Sequence, residues 1–190
     1  MRIFPKLVIT SVTALACGAV ATMWLPSAKA DDQVAAAAAK GRELTTKELD
    51  AIYADRTWQW DDGAAYFRAR NQMFTAWLNK GTKASYADGR WSVNDQGRLC
   101  FRATWYVIGG NSTTSTCFEH RSDDKAIYQR KLPDGQWYVF SHIPAASDDA
   151  VQKIQPGDRV SENLRQNKDY VGEHSSKRIG EHSSKRKRPR

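Results

Sequence analysis

From Arg56 to Ile143 the apolar residues fall at every second position, and turn chemistry interrupts them after each short stretch. A period of two puts one face of a strand on a core and the other in water. The stretches run Arg56–Trp60, with Trp58 and Trp60; Ala64–Arg70, with Tyr66 and Phe67; Gln72–Leu78, with Met73, Phe74 and Trp77; and Ala84–Asn94, with Tyr86, Trp91 and Val93. Leu99–Ile108 carries Leu99, Phe101, Ala103, Trp105 and Val107 on one face. Thr113–His120, Ala126–Lys131 and Gln136–Ile143 complete the set. Turn signals stand at Asp61-Asp62-Gly63, Lys80-Gly81, Asp88-Gly89, Asp95-Gln96-Gly97, Gly109-Gly110-Asn111, Ser122-Asp123-Asp124 and Pro133-Asp134-Gly135. Short strands at this spacing, with no helices between them, specify a mainly β fold. The expectation is one antiparallel meander of about eight strands, closed as a small barrel or a two-sheet sandwich.

The core has ample material. Residues 53–140 hold six Trp, six Tyr and five Phe, and aromatic rings bury the most apolar area per residue. One short helix precedes the strands. Thr45-Thr46-Lys47-Glu48 matches a capping box, and Leu49, Ile52 and Tyr53 follow at helical spacing over about Thr46–Ala54. Ahead of it, Asp31–Gly41 contains Ala35 to Ala39 and reads as a spacer that could be helical, with little to bury. Val151–Val160 reads as a final edge strand or strap, and apolar content collapses from about Ser161. The organisation expected is therefore 1–30 leader, 31–43 spacer, 44–160 β-rich domain and 161–190 disordered basic tail.

The leader reads as a signal peptide. Arg2 and Lys6 form a basic start, and an apolar stretch runs from Leu7 to Leu25. Ala28-Lys29-Ala30 then offers the small side chains at Ala28 and Ala30 that signal peptidase requires, so cleavage is expected after Ala30. This addresses the chain to the periplasm or outside the cell, with no membrane span after cleavage. The alternatives are an uncleaved anchor, since the run is 19 residues long, or lipidation at Cys17. The charge distribution fits this division. The chain carries a net charge of +8. Residues 1–30 contribute +3, residues 171–190 contribute +5, and the 140 residues between hold 19 basic and 19 acidic groups. A basic isoelectric point therefore describes the two ends and not a nucleic-acid-binding domain.

Cleavage removes Cys17 and leaves Cys100 and Cys117. If Leu99–Ile108 and Ser112–His120 form a hairpin around Ile108-Gly109, residues whose numbers sum to 217 lie opposite each other. Cys100 then faces Cys117. Opposed Cβ atoms in a hairpin stand about 4.5–5.5 Å apart, slightly wide of the disulfide range but closable at a non-hydrogen-bonded pair, and an oxidising compartment favours the bond. The alternative is a pair of reduced, buried thiols.

Several segments together carry a family resemblance. They are Leu49-Asp50-Ala51-Ile52-Tyr53-Ala54-Asp55-Arg56-Thr57-Trp58-Gln59-Trp60, Gly89-Arg90-Trp91-Ser92-Val93, Gly97-Arg98-Leu99-Cys100-Phe101, Cys117-Phe118-Glu119-His120 and Asp134-Gly135-Gln136-Trp137-Tyr138. Over residues 44–160 the chain resembles domain of unknown function 995, a family of small exported alphaproteobacterial proteins. The resemblance implies export from a bacterium and no particular activity. The spacer and the basic tail lie outside it.

Candidate functional residues fall in three groups. Asp88-Gly89-Arg90-Trp91 and Asp134-Gly135-Gln136-Trp137 share the pattern D-G-x-W. Their plain reading is a tight turn, with Gly at positive φ, leading a Trp into the core. Their functional reading, with Trp105, is a set of ligand-lining aromatics: Trp91, Trp105 and Trp137 at the mouth of a barrel that takes an apolar molecule or a sugar. Second, Glu119, His120 and His142 are the core candidates for acid–base work, but Glu119 and His120 point to opposite faces of one strand. No metal-ligand spacing, nucleophile elbow or phosphate loop accompanies them. No catalytic set, metal or cofactor is therefore expected.

Third, Gly172-Glu173-His174-Ser175-Ser176-Lys177-Arg178 recurs as Gly180-Glu181-His182-Ser183-Ser184-Lys185-Arg186. Lys187-Arg188-Pro189-Arg190 closes the chain. Lys177, Arg178, Lys185, Arg186, Lys187, Arg188 and Arg190 would attract anionic envelope lipid or polysaccharide. Without interleaved aromatics they do not describe a nucleic-acid reader. The whole reads as an exported, non-enzymatic envelope binding module. The alternatives are a hydrolase acting on envelope polymer and a secreted effector.

Overall fold

A computed structural model of the chain describes residues 28–80 and 83–186. The fold is mainly β, with ten antiparallel strands in one curled half-barrel sheet and three helices. In chain order these are α1 (Ala28–Lys40), β1 (Arg42–Glu43), α2 (Thr46–Tyr53), β2 (Arg56–Trp60), β3 (Gly63–Arg68), β4 (Met73–Lys80) and β5 (Lys83–Val93). Then follow β6 (Arg98–Val107), β7 (Gly110–Ser122), β8 (Ala126–Lys131), β9 (Tyr138–His142), β10 (Ile154–Pro156) and α3 (Ser161–Arg186).

Strands β2 to β9 pair with their sequence neighbours, as a meander must. β10 returns to pair with β2 at the far edge, and β1 adds two residues beside β7. The half-barrel curls around α2, whose Leu49 and Tyr53 are fully buried. That helix starts where the sequence says it should. Thr45 Oγ1 accepts from the Glu48 amide at 3.3 Å, and Glu48 Oε2 accepts from the Thr45 amide at 2.8 Å. Arg42 also donates to Glu48, and together these bonds hold its carboxyl down at about 2.

The period-two pattern sorts side chains as expected. Ala65, Phe67, Phe74, Ala76, Ala87, Leu99 and Ala103 form the core on the concave face. Small residues meet across neighbouring strands there: Ala65 faces Ala76, Ala76 faces Ala87, and Gly89 faces Ala103. The Asp88-Gly89 pair is not the turn that its composition suggests. It lies inside β5, with β4 on one side and β6 on the other. A Cβ on Gly89 would meet the Arg102 carbonyl and come within 2.6 Å of the Ala103 Cα, so glycine permits a close crossing of strands there. Asp134-Gly135 does lie at a turn, where Gly135 N donates to Lys131 O at 2.8 Å. Its φ is nonetheless not positive; among the described glycines, positive φ belongs to Gly97, Gly109 and Gly157.

The β6–β7 hairpin has the expected register. Cys100 is opposite Cys117 with Cα atoms 4.1 Å apart and sulfurs at disulfide distance. β7 outruns its other neighbour, because β8 pairs only with Phe118–Ser122. Toward its start β7 is an exposed edge strand, and the cysteine pair ties it to β6 where β8 ends.

Two terminal segments differ from the sequence reading. The alanine-rich segment takes up its helical option as α1, but against expectation it does bury a residue, Ala38, against Ala126 and Tyr128. The basic segment was expected to be disordered from 161 onward, yet Ser161–Arg186 is helical. Its first half docks on the convex face. Val160 and Leu164 pack with Ala64, Tyr66, Trp77 and Tyr86. Asn167 Nδ2 donates to Leu78 O at 3.1 Å and Ser85 O at 2.9 Å, and Lys168 pairs with Asp88 at 3.2 Å. A stripe at 164, 167 and 171 follows the helical repeat, and half its grip is one amide bonded to strand carbonyls. Residues 1–27, 81–82 and 187–190 lie outside the described residues, as do the side chains of 28–30, 80, 83 and 178–186. The lipidation and anchor alternatives, and most of the tail cations, fall there. Among the described residues no helix is long and apolar enough to cross a membrane.

Candidate functional site

Above α2 the two flanks of the half-barrel do not close, and an aromatic cleft of ≈ 320 Å³ remains. Trp58 and Trp60 of β2 form one wall. The other is Phe118 and Thr116 of β7, with Trp58 and Phe118 meeting at 5.1 Å between ring centroids. Ala65, opposite Trp58 on one side and Ala76 on the other, is small enough to leave the space open. Phe74 and Phe101 stack at 4.4 Å, and Phe67, Leu78 and Trp105 complete the apolar lining. Lys131, the last residue of β8, stands at the mouth opposite Phe118 and is the one ionisable group among the described lining residues.

The sequence's three candidate aromatics are not brought together. Trp105 lines the cleft. Trp91 is buried, 3% exposed, and its indole N–H donates to Arg68 O at 3.0 Å. Trp137 packs against the α1 cluster, with the Arg130 guanidinium 4.8 Å above its ring. Trp58, Trp60 and Phe118 went unrecognised as lining residues. Their alternation placed them inward, but only the curl of the sheet puts β2 across from β7.

Behind the Trp58–Phe118 contact lies a buried polar chain. His120 Nδ1 is 3.0 Å from Gly97 O, which only accepts, so Nδ1 carries the proton and Nε2 accepts. Tyr53 Oη at 2.8 Å and Gln129 Nε2 at 2.5 Å both reach that Nε2. Tyr138 then donates to Gln129 Oε1. Tyr53, His120 and Gln129 are all fully buried. Burial pushes the His120 imidazole down to about 4 and the Tyr138 phenol up to about 12. This is a satisfied core network, held neutral. As expected, Glu119 faces the other way. Burial opposes its ionisation, but Arg130 and Arg121 outweigh that and lower its carboxyl.

His142 does meet a carboxylate. Its Nδ1 lies 2.6 Å from Asp149 Oδ1, while Asp149 Oδ2 accepts from the amides of His142 and Ala146 at 2.8 and 2.7 Å. Burial opposes the Asp149 charge, and these donors overcome it and lower its carboxyl. Chemically this is an oriented base, but it stands outside the aromatic cleft and ties down the loop between β9 and β10. No group of three or more His, Cys, Asp or Glu that could hold a metal occurs among the described residues.

A family model described as a protein of unknown function (DUF995) matches residues 20–160. The chain belongs to the DUF995 family. The match takes in the alanine-rich α1, which the sequence resemblance left out, and ends before α3 and the basic repeat. No curated protein matches the DUF995 chain, and no solved structure does.

Proposed function

We propose that this DUF995 protein is an exported, non-enzymatic binding module that holds an apolar ligand in the aromatic cleft of its half-barrel. The observation that carries the reading is the lining itself: aromatic and aliphatic walls with one ionisable group at the mouth. Small-molecule sites have this make-up, with few polar groups that orient the ligand. A hydrolytic site would need its acid and base to face the space where substrate sits, and the His142–Asp149 pair does not line the cleft. Export rests on the signal-peptide pattern and is supported by the cysteine pair, which an oxidising compartment keeps joined. The basic segment adds attraction to anionic envelope lipid or polysaccharide.

The test fills the cleft. Ala65→Leu puts a larger side chain on its floor at a site where overpacking costs about 1–3 kcal/mol, so the fold should survive. Saturable quenching of tryptophan fluorescence by amphiphiles is expected in the wild type and lost in the variant. Quenching that persists unchanged in a folded Ala65→Leu protein refutes the reading. For the tail, co-sedimentation with anionic vesicles compares the full chain with one ending at Ser176, which keeps Leu164, Asn167 and Val171 in place. Salt-sensitive binding confined to the full chain is expected, and equal binding by both refutes it.

A further inference from the structure

We propose that the ligand of the cleft is a single-chain aliphatic carboxylate, its chain among the aromatic walls and its head group against the Lys131 ammonium. This rests on the ligand-binding reading above and specifies the chemical class.

The size of the cleft limits the chain. At ≈ 320 Å³ it lies at the small end of ligand pockets, which run from roughly 300 to 1,000 Å³. That is room for one acyl chain. The walls suit such a chain better than a sugar. Thr116 and Lys131 are the polar lining residues, and a sugar would leave most of its hydroxyls unpartnered against Trp58, Trp60, Phe74 and Phe101, at a cost for each. A methylene chain has no such groups to satisfy.

The charge at the mouth selects the head. Lys131 ends β8, where the chain turns away toward β9, so its side chain stands beside the open part of the cleft. It is exposed, and among the described residues no carboxylate lies within 4 Å of its ammonium. Elsewhere the cations near this edge are engaged: Arg130 and Arg121 both hold Glu119 on the opposite face. One unengaged ammonium at the rim of an apolar cleft complements one negative charge. A carboxylate carries one. A phosphate monoester carries close to two at neutral pH and would leave one unmatched.

The experiment titrates the full chain with dodecanoate, dodecanol, dodecyl phosphate and dodecyltrimethylammonium below their aggregation limits, followed by tryptophan fluorescence. Dodecanoate is expected to bind at least tenfold more tightly than dodecanol. Lys131→Gln should abolish the discrimination, bringing the acid-to-alcohol affinity ratio of the same variant close to one. Lys131→Glu should turn the preference toward the trimethylammonium compound. Equal binding of acid and alcohol by the wild type, or a preference that survives Lys131→Gln, overturns the head-group assignment and leaves the cleft reading standing. Tighter binding of dodecyl phosphate than of dodecanoate overturns the carboxylate. Binding of none of the four overturns both.

Discussion

His120 should make the fold acid-sensitive in a window where carboxylates do not yet contribute. Its ring is fully buried and offers Nε2 to two donors, Tyr53 Oη and Gln129 Nε2. A proton on Nε2 would face the Gln129 amide nitrogen, which only donates, and would require the Tyr53 hydroxyl to turn from donor to acceptor. Burial accordingly lowers the imidazole from 6.5 to about 4. The folded state therefore resists a proton that the unfolded chain accepts near 6.5. Stability from this group is fully present above the unfolded value and is lost as pH falls toward the folded one. The difference corresponds to about 3 kcal/mol in total, with about 2 kcal/mol gone by about pH 5. Glu48, held at about 2, loses its contribution as pH falls from the ordinary glutamate value of 4.5 toward 2, below the lower end of the comparison at about pH 5. The assay is urea unfolding at about pH 7 and about pH 5 for the wild type and for His120→Gln. The variant should be less stable at the higher pH but should lose about 2 kcal/mol less on acidification. His142, His174 and His182 are common to both proteins and cancel. If both lose the same amount, or if the His120 ring titrates near 6.5 by NMR, the buried-neutral account fails.

Two further outcomes follow from the edge strand and the docked helix. Replacing Cys100 and Cys117 by Ser together should cost about 3 kcal/mol for a loop of this length. Amide exchange should accelerate first in Gly110–Thr116, which β8 does not cover; uniform acceleration through β6 and β7 would contradict the proposed role of the tie. Leu164→Ala should cost roughly 2–3 kcal/mol, toward the low end for a buried leucine at a partly exposed seam, and should reduce helical circular dichroism as α3 leaves the sheet. Unchanged helicity and stability would show that α3 does not depend on that contact.

The strands were legible because the alternation is regular and most turns use residues with no other common role. Arg56–Trp60 and Ala126–Lys131 have the same bounds in sequence and structure, and the sum rule placed Cys100 opposite Cys117. Asp88-Gly89 misled because Asp-Gly is turn chemistry locally, whereas this glycine serves contact with β6, a neighbour that sequence order alone does not measure. α3 was illegible for a related reason. Leu164 and Val171 are too few to mark an amphipathic helix, and the Asn167 amide finds the Leu78 and Ser85 carbonyls only after the β4–β5 hairpin has formed. The cleft was half legible. Trp105, Trp58 and Trp60 were visibly inward, but alternation gives a face and not a curvature, and curvature decides which inward residues surround empty space.

The docking of α3 also gives the molecule a back and a front. Leu164, Asn167 and Lys168 bind the outer side of β3 to β5, whereas the cleft opens on the inner side of the same sheet. The duplicated basic run belongs to the second half of that same helix, whose first half is fixed to the outer side. Under the proposed function, a ligand in the cleft and the docked half of the helix that leads into the basic run therefore stand on opposite sides of β3 to β5, and neither obstructs the other.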